Sequence, residues 1–420
     1  VDRLFLNHLN PAAVDPETLV NRDDDAQWLH DGLLAYLRSD DPGLGGAFCI
    51  LGEKGIGKSI LTRKVLADLQ QIHAATTVFV TVDCRPLRSQ RDVYREVASK
   101  LVDELTIRQD VSEPLRAAAR AFDDLTRFDE ASLKYVHEHL IQHQVGLDLG
   151  GSTSFFKWLE AKLGVVISLT KKVIDTLQGS ITIDGPRLRE ALVRLLADIH
   201  THARLRVVLY LDNIEELDHE AMRDEVTRER VRGEIEALLE LSEAPLGLVL
   251  NMRTYYASVL DRRISRRRTL GRLSEAEHLE IFERRVARES PVIRARVREQ
   301  AIAASMQTLA ALARTPLAFL SWAEFMLEEG LCDQPDAGAA LQRRLGTHYA
   351  TVSRQIPKVV ALFASIEDTV EIEAVRAACD QHDSVVRQLL DHQVLLPVNY
   401  WDPREFLLDP ELGFLVGRSG

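Results

Sequence analysis

Eight consecutive residues, Gly52-Glu53-Lys54-Gly55-Ile56-Gly57-Lys58-Ser59, have types and spacing suited to gripping a chain of phosphates. Glycines at such spacing let the backbone turn tightly and aim its N–H groups inward at anionic oxygens. Lys58 then reaches the β- and γ-phosphates, and the Ser59 hydroxyl is a ligand for Mg²⁺. From Lys58 through Ile60 the chain enters a helix, whose N-terminal dipole favours anions. A surface loop rich in Gly, Lys and Ser would match the composition alone. It would not need the apolar run Ala47–Leu51 directly before it and the amphipathic stretch Lys58–Ile72 directly after it. A second candidate lies far along the chain, where the apolar run Val207–Leu211 ends in Asp212. A carboxylate there is placed to hold Mg²⁺ together with Ser59. The next residue, Asn213, cannot serve as a base toward an attacking water. Glu215 and Glu216 are the candidates for that role, the alternative being solvated acids at a helix start. Slow hydrolysis of ATP, or ATP held as a signal, follows from Asn213.

The elements around these residues read as an α/β fold with a parallel sheet. Ala47–Leu51 is a buried strand, Lys58–Ile72 a helix and Thr77–Val82 a second strand, the opening of a strand–loop–helix–strand unit. Val207–Leu211 and Leu246–Leu250 add two strands, and a weaker one is expected near Thr269–Leu273. A helix is expected over Asp24–Leu37. Helices from about Gln90 to His143, short alternating stretches near Val145–Leu149, Val165–Leu169 and Ile181–Ile183, and a helix over Pro186–His200 separate the second strand from the third. The middle of this region, about 105–185, reads as an insertion. From Ser274 the pattern is helical, over Glu275–Arg288, Val292–Ser305 and Thr308–Leu327. After a loop with Gly330, Pro335 and Gly338 come three short helices, Ile356–Ala364, Glu373–Cys379 and Ser384–His392. A hairpin of Val394–Val398 and Phe406–Leu408 follows, which makes a winged-helix pattern. The expected division is therefore 1–272 for the nucleotide-binding domain, 273–340 for a helical lid and 341–420 for a winged-helix domain.

Composition bounds the partners. The chain has 420 residues, 46% hydrophobic and 28% charged, with a formal net charge of −12. That acidity excludes a global electrostatic grip on nucleic acid but not a local basic patch. Four cysteines lie far apart with no CxxC pair, as expected of reduced, buried thiols in a cytoplasmic protein. Apolar runs are too short to cross a bilayer and no signal-peptide pattern opens the sequence, so no membrane role is expected. The sequence begins at Val1, which is compatible with a processed or trimmed start.

In this order the features resemble the AAA+ and STAND branch of P-loop ATPases, particularly the origin-recognition and replication-initiator type. Leu19-Val20-Asn21-Arg22-Asp23-Asp24-Asp25 with Trp28-Leu29 is similar to the family's box upstream of the phosphate loop, with Asn21 where the family has Gly and Asp23 where it has Glu. The resemblance implies that Val20, Asn21 and Arg22 lie near the adenine. Val82-Asp83-Cys84-Arg85 after the second strand also resembles the initiator type. Leu248-Val249-Leu250-Asn251-Met252-Arg253 resembles the sensor-1 strand, with Asn251 matching the initiator pattern and Arg253 the γ-phosphate arginine of STAND proteins. Leu260-Asp261-Arg262-Arg263-Ile264-Ser265-Arg266 resembles the stretch that carries an arginine finger into a neighbouring subunit, one residue short, so Arg263 and Arg266 both stand as candidates. A DNA-phosphate contact or a solvated basic turn competes with that role. Ser274 and Glu277 match the start of the helical lid and form a capping-box pair. Arg314-Thr315-Pro316 looks like the GxP motif of STAND lids with Arg in place of Gly, which implies Pro316 near the base and Arg314 as a sensor-2 arginine.

The leading expectation is an ATP- and Mg²⁺-dependent switch that oligomerises on ATP and acts on a protein partner, in a system such as bacterial defence. The alternative is a DNA-binding initiator or transposition-regulator ATPase, and a third reading is a structural subunit with ATP filling a site. The third C-terminal helix offers Arg387 and His392 but also Asp383 and Asp391, a poor face for phosphates; the resemblance to STAND proteins, which use such a module as an intramolecular clamp on the nucleotide domain, implies that protein-contact role instead. No leucine-rich, tetratricopeptide or propeller repeats occur, so the sensor of a STAND-type switch is expected on a partner or on residues outside this sequence.

Overall fold

A computed structural model describes residues 16–39, 45–127, 185–217, 225–260, 264–332, 354–364, 368–392, 394–399 and 403–409, with Leu4, Leu6, Asp41, Val352 and Leu412 also placed. The alternating stretches expected between 145 and 183, most of the expected insertion, and Arg263 lie outside the described residues.

Five parallel strands form the main sheet: β1 (Gly46–Gly52), β2 (Thr77–Asp83), β3 (Arg206–Asp212), β4 (Gly247–Arg253) and β5 (Arg266–Thr269), in the order β2-β3-β4-β1-β5. Side chains alternate along a strand, so each of β1 to β4 feeds two cores. Cys49, Leu51, Val80, Val82, Leu209, Leu211, Leu248 and Leu250 face one side. There they meet α3 (Gln90–Ile107), α4 (Glu113–Arg127), α5 (Gly185–Ala203) and α6 (Glu225–Leu239). Phe48, Ile50, Val208, Tyr210 and Val249 face the other, against α1 (Asp23–Leu37) and α2 (Lys58–His73). All four cysteines are buried, and none is in a disulfide. No helix among the described residues is long and apolar enough to cross a membrane.

Several elements depart from the sequence expectation. The fifth strand is Arg266–Thr269, three residues earlier than expected. At the sheet edge a strand pairs on one side only, so a basic triplet is tolerated where an apolar run was sought. The helix α6 has no counterpart in the expectation, because its apolar positions are sparse among charges. After α7 (Glu275–Val286), the helix expected over 292–305 is split into α8 (Pro291–Val297) and α9 (Gln300–Leu312). The helix expected over 308–327 breaks before α10 (Pro316–Glu328), because Pro316 has no N–H and sits at N1 with Thr315 as its N-cap.

The last described segment holds α11 (Ile356–Val360), α12 (Ile372–Ala378) and α13 (Asp383–Asp391). Its antiparallel sheet is three-stranded, not two, with β6 (Val370–Glu371), β7 (Leu395–Pro397) and β8 (Glu405–Leu408) in the order β6-β8-β7. One continuous apolar cluster runs from the lid helices through this segment, from Ile281, Phe319 and Trp322 to Val375, Leu389 and Phe406.

At the start of the lid, Ser274 and Glu277 form the expected capping box. One turn on, His278 is buried, its Nδ1 3.3 Å from the Ala310 carbonyl of α9 and its ring stacked 5.7 Å from Phe319 of α10. Burial holds its pKa below the ordinary value, so the fold keeps this imidazole neutral. The unfolded chain therefore takes up the proton first as pH falls below about 6.5, and stability is lost from there down through the folded pKa. Urea denaturation at pH 7 and pH 5 is expected to show this loss, at up to about 1.4 kcal/mol per pH unit, the slope for one proton. His278→Leu is expected to flatten the slope; an unchanged slope would remove His278 as its cause.

Candidate nucleotide site

Strand register assembles the site. Gly52 at the end of β1 pairs with Arg253 at the end of β4, and Asp83 at the end of β2 pairs with Asp212 at the end of β3. Four carboxyl ends of a parallel sheet thus meet along one rim, the usual place for a ligand in an open α/β sheet.

Between β1 and α2 the loop turns through Gly55 at φ 76° and Gly57 at φ 105°, a backbone region that favours glycine. Lys58 folds back under the loop, its Nζ donating to the carbonyls of Gly52 (3.1 Å) and Glu53 (3.0 Å). Burial lowers its pKa, opposed by the nearby Glu215 carboxylate. The Ser59 hydroxyl donates to Asp212 Oδ1 at 2.9 Å. Behind them, Asn251 Nδ2 donates to Tyr210 Oη (2.5 Å) and Asp212 Oδ1 (3.3 Å), while Thr62 donates to Asn251 Oδ1 (3.0 Å). Asn251 is therefore a buried support for Asp212.

Arg253 is enclosed by acids. Its guanidinium bonds Glu216, lies 3.4 Å from Glu215 and donates to Tyr255 Oη at 2.7 Å. Glu215 is buried, and burial raises its carboxyl pKa, with Arg253 and Lys58 opposing. The reading of both as solvated helix-start acids is thus corrected: in the short helix over Ile214–Glu216 the buried Arg253 draws Glu215 fully inside and ties Glu216, which is half-buried at the cavity wall. Asn213, with φ 55°, donates instead to Asp83 Oδ1 at 3.1 Å, and the same Asp83 carboxylate takes a forked contact from Arg85.

A cavity of about 440 Å³ opens over this rim. Lys54 through Ile60 form one wall; Asn213, Glu216, Arg253 and Arg85 form its polar end. Val20, Leu19, Leu273, Ile281, Pro316, Leu317 and Leu320 form its apolar end, with Arg22 and Arg285 beside them. Asn21 is not in the lining: its side chain donates to Glu277 of the lid, while Arg22 Nη2 donates to the Gly271 carbonyl at 2.6 Å. Arg314 is not in the lining either. It forks onto the Glu53 carboxylate, Nε to Oε2 at 2.6 Å and Nη2 to Oε1 at 2.5 Å. Arg266 projects from the edge strand, its guanidinium 5.2 Å from the Phe48 ring, at the far end of the strands from the loop. Sequence reasoning missed Arg285, Ile281, Leu317 and Leu320. Their helical spacing, 281 with 285 and 317 with 320, was the available signal that one face of two lid helices covers the cavity.

The family profile described as AAA ATPase domain (AAA_16) matches residues 18–250, more than half of the 420 residues. The chain belongs to the AAA ATPase family. This AAA ATPase is accordingly a P-loop ATPase, with the loop at 52–59 inside the matched span. Among solved structures it is similar to Cdc6p from Pyrobaculum aerophilum, with 13% identity, 99% of this chain and 98% of that chain covered, and a TM-score of 0.41. It is also similar to the Aeropyrum pernix ORC1 protein in complex with DNA, with 13% identity, 98% and 94% covered, and a TM-score of 0.44. Drosophila ORC bound to DNA matches with 12% identity, 98% and 89% covered, and a TM-score of 0.40. No curated protein sequence matches the chain.

Gly55 lies where the lid meets the loop. A Cβ there would fall 2.2 Å from Leu317 Cβ, and the Leu317 N–H donates to the Gly55 carbonyl at 3.3 Å. In this AAA ATPase, Gly55→Ala is expected to cost about 1–3 kcal/mol and to push α10 off the loop. Chemical denaturation reads the first effect, and faster proteolysis between residues 264 and 332 reads the second. Wild-type values for both would show that the contact is dispensable.

Proposed function

We propose that this AAA ATPase is a slowly hydrolysing, Mg²⁺-dependent ATP switch that controls its own assembly or the engagement of a protein partner. One observation carries the reading: consecutive residues of the phosphate loop hold two different downstream elements. Glu53 holds Arg314 of the lid, and the Lys54 ammonium lies 3.9 Å from Asp409 beside β8. A loop that only retained a nucleotide would need neither contact. With both, occupancy of the loop bears on the position of the lid and of the C-terminal segment.

The donor set at Ser59 and Asp212 suits Mg²⁺, since both are hard oxygens and already 2.9 Å apart. When bound, the ion would neutralise charge across the β- and γ-phosphates. Lys58 exchanges its carbonyl partners for phosphate oxygens, and the amides of 55–59 point at the same anion. Asn251 and Tyr210 keep Asp212 oriented. Arg253 lines the polar end of the cavity and meets the terminal phosphate. Glu216 shares that wall and is the base candidate, but its carboxylate is tied to Arg253, and Asn213 supplies no substitute. Slow turnover follows. Apolar Val20, Ile281, Leu317 and Leu320 face the base, with Pro316 and Arg22 at the edge.

The division at 272/273 and 340/341 and the winged-helix reading of the C-terminal segment are part of this proposal. A DNA-binding reading draws on Arg266, Arg267 and Arg268 at the open sheet edge. Each has an internal partner, respectively the Phe48 ring, the Ile264 carbonyl and Asp25. Those contacts favour a structural row over a phosphate track.

Size-exclusion chromatography with light scattering, run with ATP, ADP or no nucleotide and with or without duplex DNA, tests the proposal. ATP alone is expected to change the mass or elution of the protein. Lys58→Ala should abolish that change and weaken ATP binding roughly ten- to a hundredfold. Phosphate release is expected below about one turnover per second, and lower still in Glu216→Gln. A nucleotide-independent profile together with salt-sensitive DNA binding would replace the switch with the DNA-binding reading.

A further inference from the structure

Glu53 makes two contacts that concern different cations of the site. Its backbone carbonyl accepts from Lys58 Nζ at 3.0 Å, and its carboxylate takes the fork of Arg314, with Arg272 a further 3.6 Å away. The Arg314 side chain is 6% exposed, so the fork is largely shielded from water and strong. Arg314 directly precedes Thr315, the N-cap of α10, and α10 is the helix whose Leu317 rests on Gly55. A lid arginine is thus held beside the phosphate loop, outside the cavity lining, by a carboxylate that belongs to the loop itself.

We propose that Glu53 is an internal stand-in for nucleotide phosphate. It holds Arg314 away from the cavity until a triphosphate competes for that arginine, and so sets how strongly the protein discriminates ATP from ADP. The proposal rests on ATP occupying the loop. Phosphates bound there draw Lys58 off the Glu53 carbonyl and present anionic oxygens one peptide away from the Glu53 carboxylate. A triphosphate carries more charge than a diphosphate with which to win Arg314 from Glu53. Loss of the fork frees α10 from the loop's second residue, so the arginine's choice of anion is also the lid's choice of position. Glu53 is a positioning residue in this scheme, since it acts through Arg314.

Titration of a fluorescent ATP and a fluorescent ADP analogue, each with Mg²⁺, supplies the test. Removing the internal anion with Glu53→Gln is expected to raise the ATP-to-ADP affinity ratio roughly fivefold or more, the lower range of coupling between two sites. Glu53→Asp keeps the charge and should stay near the wild-type ratio. Arg314→Gln, with Glu53 intact, should lower ATP affinity and spare ADP, which gives an independent reading should Glu53→Gln fold poorly. In the Arg314→Gln background, Glu53→Gln should no longer move the ratio. Equal changes in ATP and ADP affinity, or the same Glu53→Gln effect with Arg314 absent, would overturn the proposal. Lys58→Ala serves as the separate control: unaltered ATP affinity there would place the nucleotide elsewhere and sink the reading of the loop.

Discussion

Parallel pairing in one register constrains everything else in this molecule. Gly52 level with Arg253, and Asp83 level with Asp212, put four strand ends, one glycine, one arginine and two carboxylates, on a common rim. A slip of one residue in either ladder would exchange the two faces of a strand. Cys49 and Leu51 would then trade places with Phe48 and Ile50, and both cores would be lost together. Because β1, β3 and β4 are buried on both faces, their register is fixed by two independent sets of contacts. The Ser59–Asp212 hydrogen bond, spanning 153 residues, is a consequence of that double fixing.

How much of this was legible beforehand follows from the kind of constraint each residue obeys. Lys58, Ser59 and Asp212 were legible because glycine spacing and an apolar run ending in one carboxylate are local signals. The buried Glu215 and its half-buried neighbour Glu216 were not. Whether Glu215 faces water or a cation depends on Arg253, 38 residues away in sequence but beside it in space. Arg314 was placed at the nucleotide by resemblance, yet its fork onto Glu53 is a long-range charge choice that no periodicity encodes. Element types were largely readable, while boundaries failed where a proline restarted a helix or an edge position tolerated charge, as at Pro316 and Arg266.

Electrostatically, the site is a set of cations each already engaged by a nearby protein group. Lys58 has two carbonyls and a nearby carboxylate, Arg253 two acids and a phenol, and Arg314 a loop carboxylate. A phosphate chain therefore enters by exchange of partners, not by filling bare charge. Such exchange keeps the net cost of reorganisation small, since a buried guanidinium without an anion is expensive. It also means that affinity reports on what the protein gives up as much as on what it gains.

The unbroken apolar cluster that runs from the lid helices into the C-terminal sheet has a mechanical meaning. Close-packed interiors transmit displacement with little compliance. A pivot near residues 270–273 would therefore swing both segments as one lever, and a shift of an ångström at the phosphates would grow with distance from the pivot. The exposed face of α13 is where that amplified stroke would be felt by anything resting against it.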